Sequence, residues 1–193
     1  MLLAHLRRGV LLRRGVAEIS AAAVTGLGAG LAWGGPLLGL VIWAGLLAVA
    51  LGAVDLVHHR LPDALTLPAI PITAILVAAT GYLNPSAGSV LRAVVVAALL
   101  GVAFWALAAL APRAMGRGDV KLMPSLGLLT GFVSIPTTVL ATGIAFVLGA
   151  LVAVLGLLSR RLTLTSAIPF GPCLLAGCWS ALAVPALTTW IIG

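Results

Sequence analysis

Charge is what this chain has least of. Only 8% of its 193 residues are charged and 62% are hydrophobic, whereas a soluble domain carries roughly 25% charged residues. A soluble protein of this length has no interior large enough to hide so much apolar surface. That excludes a soluble globular domain. It leaves an all-α, polytopic integral membrane helical bundle, with room for about six to eight spans of about 20 residues each. Histidine is scarce too: His5, His58 and His59 are the whole set, and none stands in the His-Glu-x-x-His pattern of a zinc protease. The two cysteines, Cys173 and Cys178, share one apolar segment. Structural zinc takes four ligands, so they read as buried free thiols rather than a metal site or a disulfide. No metal and no cofactor are expected.

Acidic residues are scarcer still. The four are Glu18, Asp55, Asp63 and Asp119. The formal net charge of +7 could suggest nucleic acid, but the cations are scattered between apolar runs. Membrane topology explains them better.

The apolar runs fall at about 17–33, 36–54, 64–83, 88–111, 120–135, 137–158 and 168–192. That makes about seven spans. The breaks carry turn signals, such as Gly34-Gly35-Pro36, Asn84-Pro85 and Ile135-Pro136. Pro68, Pro71, Pro124 and Pro185 lie inside runs, where membrane helices tolerate them. Gly26 with Gly30, and Gly127 with Gly131, have the small-xxx-small spacing of close helix contacts. The Gly26-x-Gly28-x-Gly30 spacing is not a dinucleotide fingerprint. Residues 1–16 form a basic segment holding Arg7, Arg8, Arg13 and Arg14, read as an interfacial anchor to anionic lipid rather than a cleaved signal. Residues 17–193 read as one transmembrane domain. With the N-terminus cytoplasmic, ten of the eleven cations fall on the inside, and only Arg92 lies outside. Asp55, Asp63 and Asp119 then share the cytoplasmic face.

Ionisable residues beside apolar helices are expensive and mark function. In Gly116-Arg117-Gly118-Asp119-Val120-Lys121-Leu122, the two glycines free the backbone to turn, and Asp119 is expected as the N-cap of the helix that follows. Asp55 ends the second run, where a helix C-terminus disfavours an anion. A capping role does not explain it. Asp63 follows Pro62 and opens the third run, so it reads as an N-cap. His58, His59 and Arg60 read as headgroup-facing residues; His58 could also tune Asp55 from one turn away.

Two carboxylates held about 3 Å apart cannot both ionise, so they share one proton. The ionised member draws a proton from water while the protonated member donates to a substrate carbonyl. This is aspartic protease chemistry, and Asp55 with Asp119 is the expected catalytic pair. Ser125 lies one turn from Lys121, a possible serine–lysine pair with no further support. A proton-coupled small membrane transporter built on Asp55, Asp119 and Lys121 is the rival reading. Against it, all three lie at one face rather than at the membrane midplane.

The blocks Asp55-Leu56-Val57-His58-His59-Arg60-Leu61-Pro62-Asp63, Gly116–Leu122 and Ile168-Pro169-Phe170-Gly171-Pro172 occur in the order seen in the type IV prepilin peptidase family. With the hydropathy they cover about 36–175, and the chain resembles that group of Gly-x-Gly-Asp intramembrane aspartyl proteases. The resemblance implies a six-span core, with the run at 17–33 an extra span ahead of it. It places the catalytic pair on Asp55 and Asp119, and Gly116, Gly118, Lys121, Asp63, Pro62 and His58 in supporting positions. It implies cleavage of short basic leaders from pilin-like or pseudopilin-like precursors with a hydrophobic N-terminal helix, at the bacterial cytoplasmic membrane. Many members carry an N-terminal extension with four zinc-binding cysteines and also N-methylate the product. The first sixteen residues here do not resemble that extension, so the short, peptidase-only form is expected. A non-enzymatic assembly factor that keeps the fold is the remaining alternative. The Pro169–Pro172 block has no role that the sequence supplies.

Overall fold

The computed structural model of the chain describes residues 35–58, 63–110, 116–159 and 170–192, together with Gly26 and Gly30. Over residues 35–192, six helices follow one another among the described residues: α1 (Leu38–His58), α2 (Asp63–Leu83), α3 (Val90–Leu110), α4 (Arg117–Val133), α5 (Ile135–Leu158) and α6 (Gly171–Ile192). No strand occurs among the described residues. Among the described residues, three stretches are long and apolar enough to cross a membrane: Leu65–Leu83, Val90–Leu110 and Ile135–Leu158. Leu38–Gly52 and Gly171–Ala183 are shorter apolar helices. The expected run at 17–33 and the basic segment 1–16 lie outside the described residues, apart from Gly26 and Gly30, which are both helical.

The bundle is organised around α4, which packs on α2, α3, α5 and α6. It is also the helix richest in polar groups, and the two facts are connected. Eleven of its seventeen residues are buried, among them Asp119, Ser125 and Thr130. Its neighbours turn plain apolar faces outward instead: Leu91, Val94, Leu99 and Trp105 on α3, Val139, Val147 and Leu151 on α5. Such faces suit hydrocarbon, which leaves the interior for the polar side chains.

Close approach of α3 and α4 rests on Gly127 and Gly131, as the spacing predicts. A Cβ built on Gly127 would lie 2.6 Å from Ala97 Cα, and one on Gly131 would lie 2.6 Å from Val96 Cβ. Ala93 and Ala97 complete the seam on α3. The companion pair behaves differently: a Cβ at Gly26 or Gly30 meets nothing within 4 Å, so no such contact forms among the described residues. A second seam joins α5 to α6, where a Cβ on Gly177 would lie 2.4 Å from the Ala141 carbonyl oxygen. The helices run on through Pro68, Pro71, Pro124 and Pro185. Between α1 and α2, the Trp43 indole N–H donates to Thr73 Oγ1 at 2.8 Å, and that hydroxyl donates to the Ala69 carbonyl.

Arg92 is more than a count in the charge balance. From α3 its Nε donates to the Gly131 carbonyl at 2.8 Å, and its Nη2 donates to those of Phe132 and Val133, each at 2.6 Å. These belong to the last turn of α4, whose carbonyls have no partner within the helix. A cation there also complements the helix dipole. One residue then turns the chain. Ser134 accepts from the Thr137 N–H at 3.1 Å and caps α5, with Pro136 in its first turn. The Ile135-Pro136 break read in the sequence is therefore a helix start.

Candidate active site

The end of α1 and the starts of α2, α4 and α6 gather at one end of the bundle: Lys121 of α4 reaches Asp63 of α2, and Asp119 and Cys173 both lie within electrostatic reach of Asp55. The two aspartates meet there. Asp55 sits in the last turn of α1 and is 4% exposed; Asp119 sits in the first turn of α4 and is 6% exposed. Asp119 stands ahead of the apolar stretch that starts at Val120. Burial, and then the nearby Asp55 carboxylate, push its pKa up from 3.8 to about 7; a hydrogen bond from the Gly116 backbone N–H pulls the other way. Two acids from distant parts of the sequence are thus within electrostatic reach in a water-poor place, and their dipole settings differ. The helix end at Asp55 disfavours an anion, whereas the helix start at Asp119 favours one.

One expectation needs correction. Asp119 is not the N-cap of its helix. Gly116 is, with ordinary extended backbone (φ −69°, ψ 138°). The Asp119 N–H donates to the Gly116 carbonyl at 3.1 Å, so the helix begins three residues before the aspartate. The Asp119 carboxylate reaches back to the Gly116 N–H, which is one half of a capping box. Glycine at 116 is explained by space rather than by an unusual turn, since a Cβ there would lie 3.2 Å from Asp119 Oδ2. Gly118 lies within the first turn.

Asp63 opens α2, as expected, and its carboxylate also meets a cation from another helix. Lys121 Nζ donates to Asp63 Oδ1 at 2.7 Å, with side chains 36% and 61% exposed respectively. Asp119 and Lys121 diverge around α4, so the lysine faces α2 and ties the start of that helix to the start of α4. With Nζ on Asp63, Lys121 does not serve Ser125, whose buried Oγ has no partner among the described residues. His58 closes α1; Pro62, His59 and Arg60 lie outside the described residues.

Both cysteines are buried and free. Cys173, in the first turn of α6, is electrostatically coupled to both Asp119 and Asp55, a neighbour that sequence reading missed. The signal lay next to it, where Pro172 follows Gly171 as a helix-start marker. Among the described residues no three of His, Cys, Asp or Glu gather as a metal site requires.

Residues 40–154 match the type IV leader peptidase family. A prepilin leader peptidase/N-methyltransferase of Pseudomonas putida is 35% identical over 134 residues, covering 69% of this chain and 45% of that protein. The protein of the same name from Dickeya chrysanthemi is 33% identical over 165 residues, covering 84% and 56%. That from Pseudomonas aeruginosa is 34% identical over 155 residues, covering 79% and 51%. The chain thus spans about half the length of the curated relatives it matches. No solved structure matches it. The chain belongs to the type IV leader peptidase family.

Proposed function

We propose that this member of the type IV leader peptidase family is an intramembrane aspartic endopeptidase. In this reading it removes the leader from prepilin-like precursors, pilins or pseudopilins, at the cytoplasmic face of a bacterial cytoplasmic membrane. Asp55 and Asp119 are its catalytic pair. The single observation that carries the reading is the burial of these two acids, from separate helices, within electrostatic reach of each other.

The chemistry follows from one shared proton. The ionised carboxylate takes a proton from water as the oxygen attacks the scissile carbonyl. The protonated partner donates to the carbonyl oxygen, and the tetrahedral intermediate collapses as a proton passes to the leaving amine. A helical substrate hides its carbonyls in backbone hydrogen bonds, so the cut falls where the helix is weak, as at glycine. Co-expression with a prepilin-like precursor should give a shortened product on a gel. Full-length precursor throughout would reject the reading.

The same proposal includes six spans at about 36–54, 64–83, 88–111, 120–135, 137–158 and 168–192, preceded by a seventh at 17–33, one domain over 17–193, and a cytoplasmic N-terminal segment 1–16. Its support is the split of cations, ten against one. Single cysteines at Asn84, between α2 and α3, and at Ser159, after α5, should therefore label from opposite sides. The background lacks Cys173 and Cys178. Asn84 should react with an impermeant reagent added outside and Ser159 only from the cytoplasm. Labelling of both from one side removes the topology.

The ion pair gives a graded expectation. Asp63 and Lys121 are exposed, and such pairs contribute about 0–1 kcal/mol. Asp63→Asn should lower the initial rate of precursor cleavage by less than about tenfold, the factor that 1.36 kcal/mol represents. A complete loss at Asp63 with activity kept in Asp55→Asn would move the catalytic pair to Asp63 and Asp119.

A further inference from the structure

The block ending in Phe170-Gly171-Pro172 has no part in the chemistry derived so far, yet its aromatic ring has an unusually specific seat. Gly149, just past the middle of α5, is buried, and a Cβ built there would lie 2.6 Å from Phe170 Cε2 and 3.0 Å from Cδ2. A side chain at 149 would force the ring to shift. Phe146, one turn earlier on α5, meets the same ring with centroids 5.3 Å apart at 49°. Phe104 of α3 continues the row at 6.5 Å and 39°. Tilted contacts of this kind are favoured by the ring quadrupoles.

The backbone of Phe170 is just as constrained. Its carbonyl accepts from the N–H groups of Cys173 at 3.0 Å and Leu174 at 3.1 Å. The residue that fills the Gly149 notch is therefore the one from which α6 starts. Cys173, 7% exposed, lies in that first turn, and α6 packs on both α1 and α4, the helices that carry the aspartates. Moving the ring moves the helix start, and moving the helix start moves the surface beside the two carboxylates.

We propose that Phe170, seated in the notch at Gly149, is a positioning residue that fixes the first turn of α6 as the third wall of the Asp55–Asp119 site. This rests on the reading of those aspartates as the catalytic pair. Phe170 acts through the helix it starts. The glycine matters because it removes the one atom that would displace the ring.

The test exchanges volume across the contact. Gly149→Val, Phe170→Ala and the double variant are prepared as full-length protein in detergent, in a Cys178→Ala background. Cys173 is then titrated with N-ethylmaleimide, which reports the packing of the α6 start without reference to activity. Each single variant should react at least tenfold faster than the parent, and the double variant should return to within threefold of it. On a prepilin-like precursor, each single variant should lose at least tenfold in kcat with KM within threefold, and the double variant should regain most of the loss. If Gly149→Val does not fold, Gly149→Ala, whose Cβ already overlaps the ring, should move labelling and kcat in the same directions. Parent-like labelling in the single variants overturns the proposal. So does faster labelling with unchanged kcat, or a double variant no better than the singles. A parent that labels slowly but cleaves no precursor rejects the peptidase reading instead.

Discussion

Asp55→Asn and Asp119→Asn are each expected to abolish precursor cleavage, by about a thousandfold or more. At 1.36 kcal/mol per decade this is about 4 kcal/mol of barrier. Asparagine keeps the shape of aspartate but cannot cycle a proton, so the substitution tests chemistry rather than packing. The double variant should be no worse than either single one, because groups that share one proton act as a unit. Neither variant should lose the fold. The sign is clearest for Asp119, whose pKa is raised from 3.8 to about 7 in the folded chain. A carboxyl shifted in that direction favours the folded state below the lower value and loses that contribution as pH rises through the upper one. Asp119→Asn should therefore be at least as heat-stable as the parent at pH 8 while being inactive. A variant that is inactive and also poorly folded at that pH would turn the result into one about packing.

The second large effect is structural. Gly127→Leu should separate α3 from α4. The atoms that a side chain would meet are backbone, Ala97 Cα at 2.6 Å, Ala97 N at 3.0 Å and the Val96 oxygen at 3.2 Å, and none of them can swing away. Overpacking of this kind costs about 3 kcal/mol, enough to remove much of a typical domain's stability. Yield of monodisperse protein and the unfolding midpoint in detergent should both fall, and cleavage with them, because α4 carries Asp119. Gly143→Leu is the matched control: a Cβ there meets nothing within 4 Å, so the same leucine should leave the midpoint unchanged. Equal stability of the two variants would contradict the close helix contact.

The sequence made the helices and the acid pair legible for particular reasons. Long apolar runs can only be helices where every backbone group needs an internal partner, so the helix order followed from hydropathy. Asp55 and Asp119 stood out because so few acids compete with them. The start of α4 was misplaced because Gly116, rather than the carboxylate, occupies the cap, and a capping box at a glycine looks the same in sequence as a plain Asp N-cap. Lys121 with Asp63 was out of reach for a different reason. Residues 58 positions apart show no pattern until helix faces are known, and the same holds for Arg92 with the carbonyls of residues 131–133 and for Phe170 with Gly149. Spacing along one helix can be read from a sequence. A contact between helices depends on their rotation and depth, which no local pattern records.

The most direct test of the proton-sharing pair is the pH profile of precursor cleavage by the purified full-length chain. The initial rate on a prepilin-like precursor is followed by mass spectrometry from pH 5 to 10, with excess EDTA present and with Asp119→Asn as the blank. The pair needs one proton to act, and Asp119 holds its proton up to about pH 7. The account predicts cleavage that survives the chelator, stays level on the acid side of neutrality and falls about tenfold per pH unit once the pair has lost its proton. Cleavage that climbs steadily through pH 9, or that EDTA abolishes and zinc restores, would contradict it.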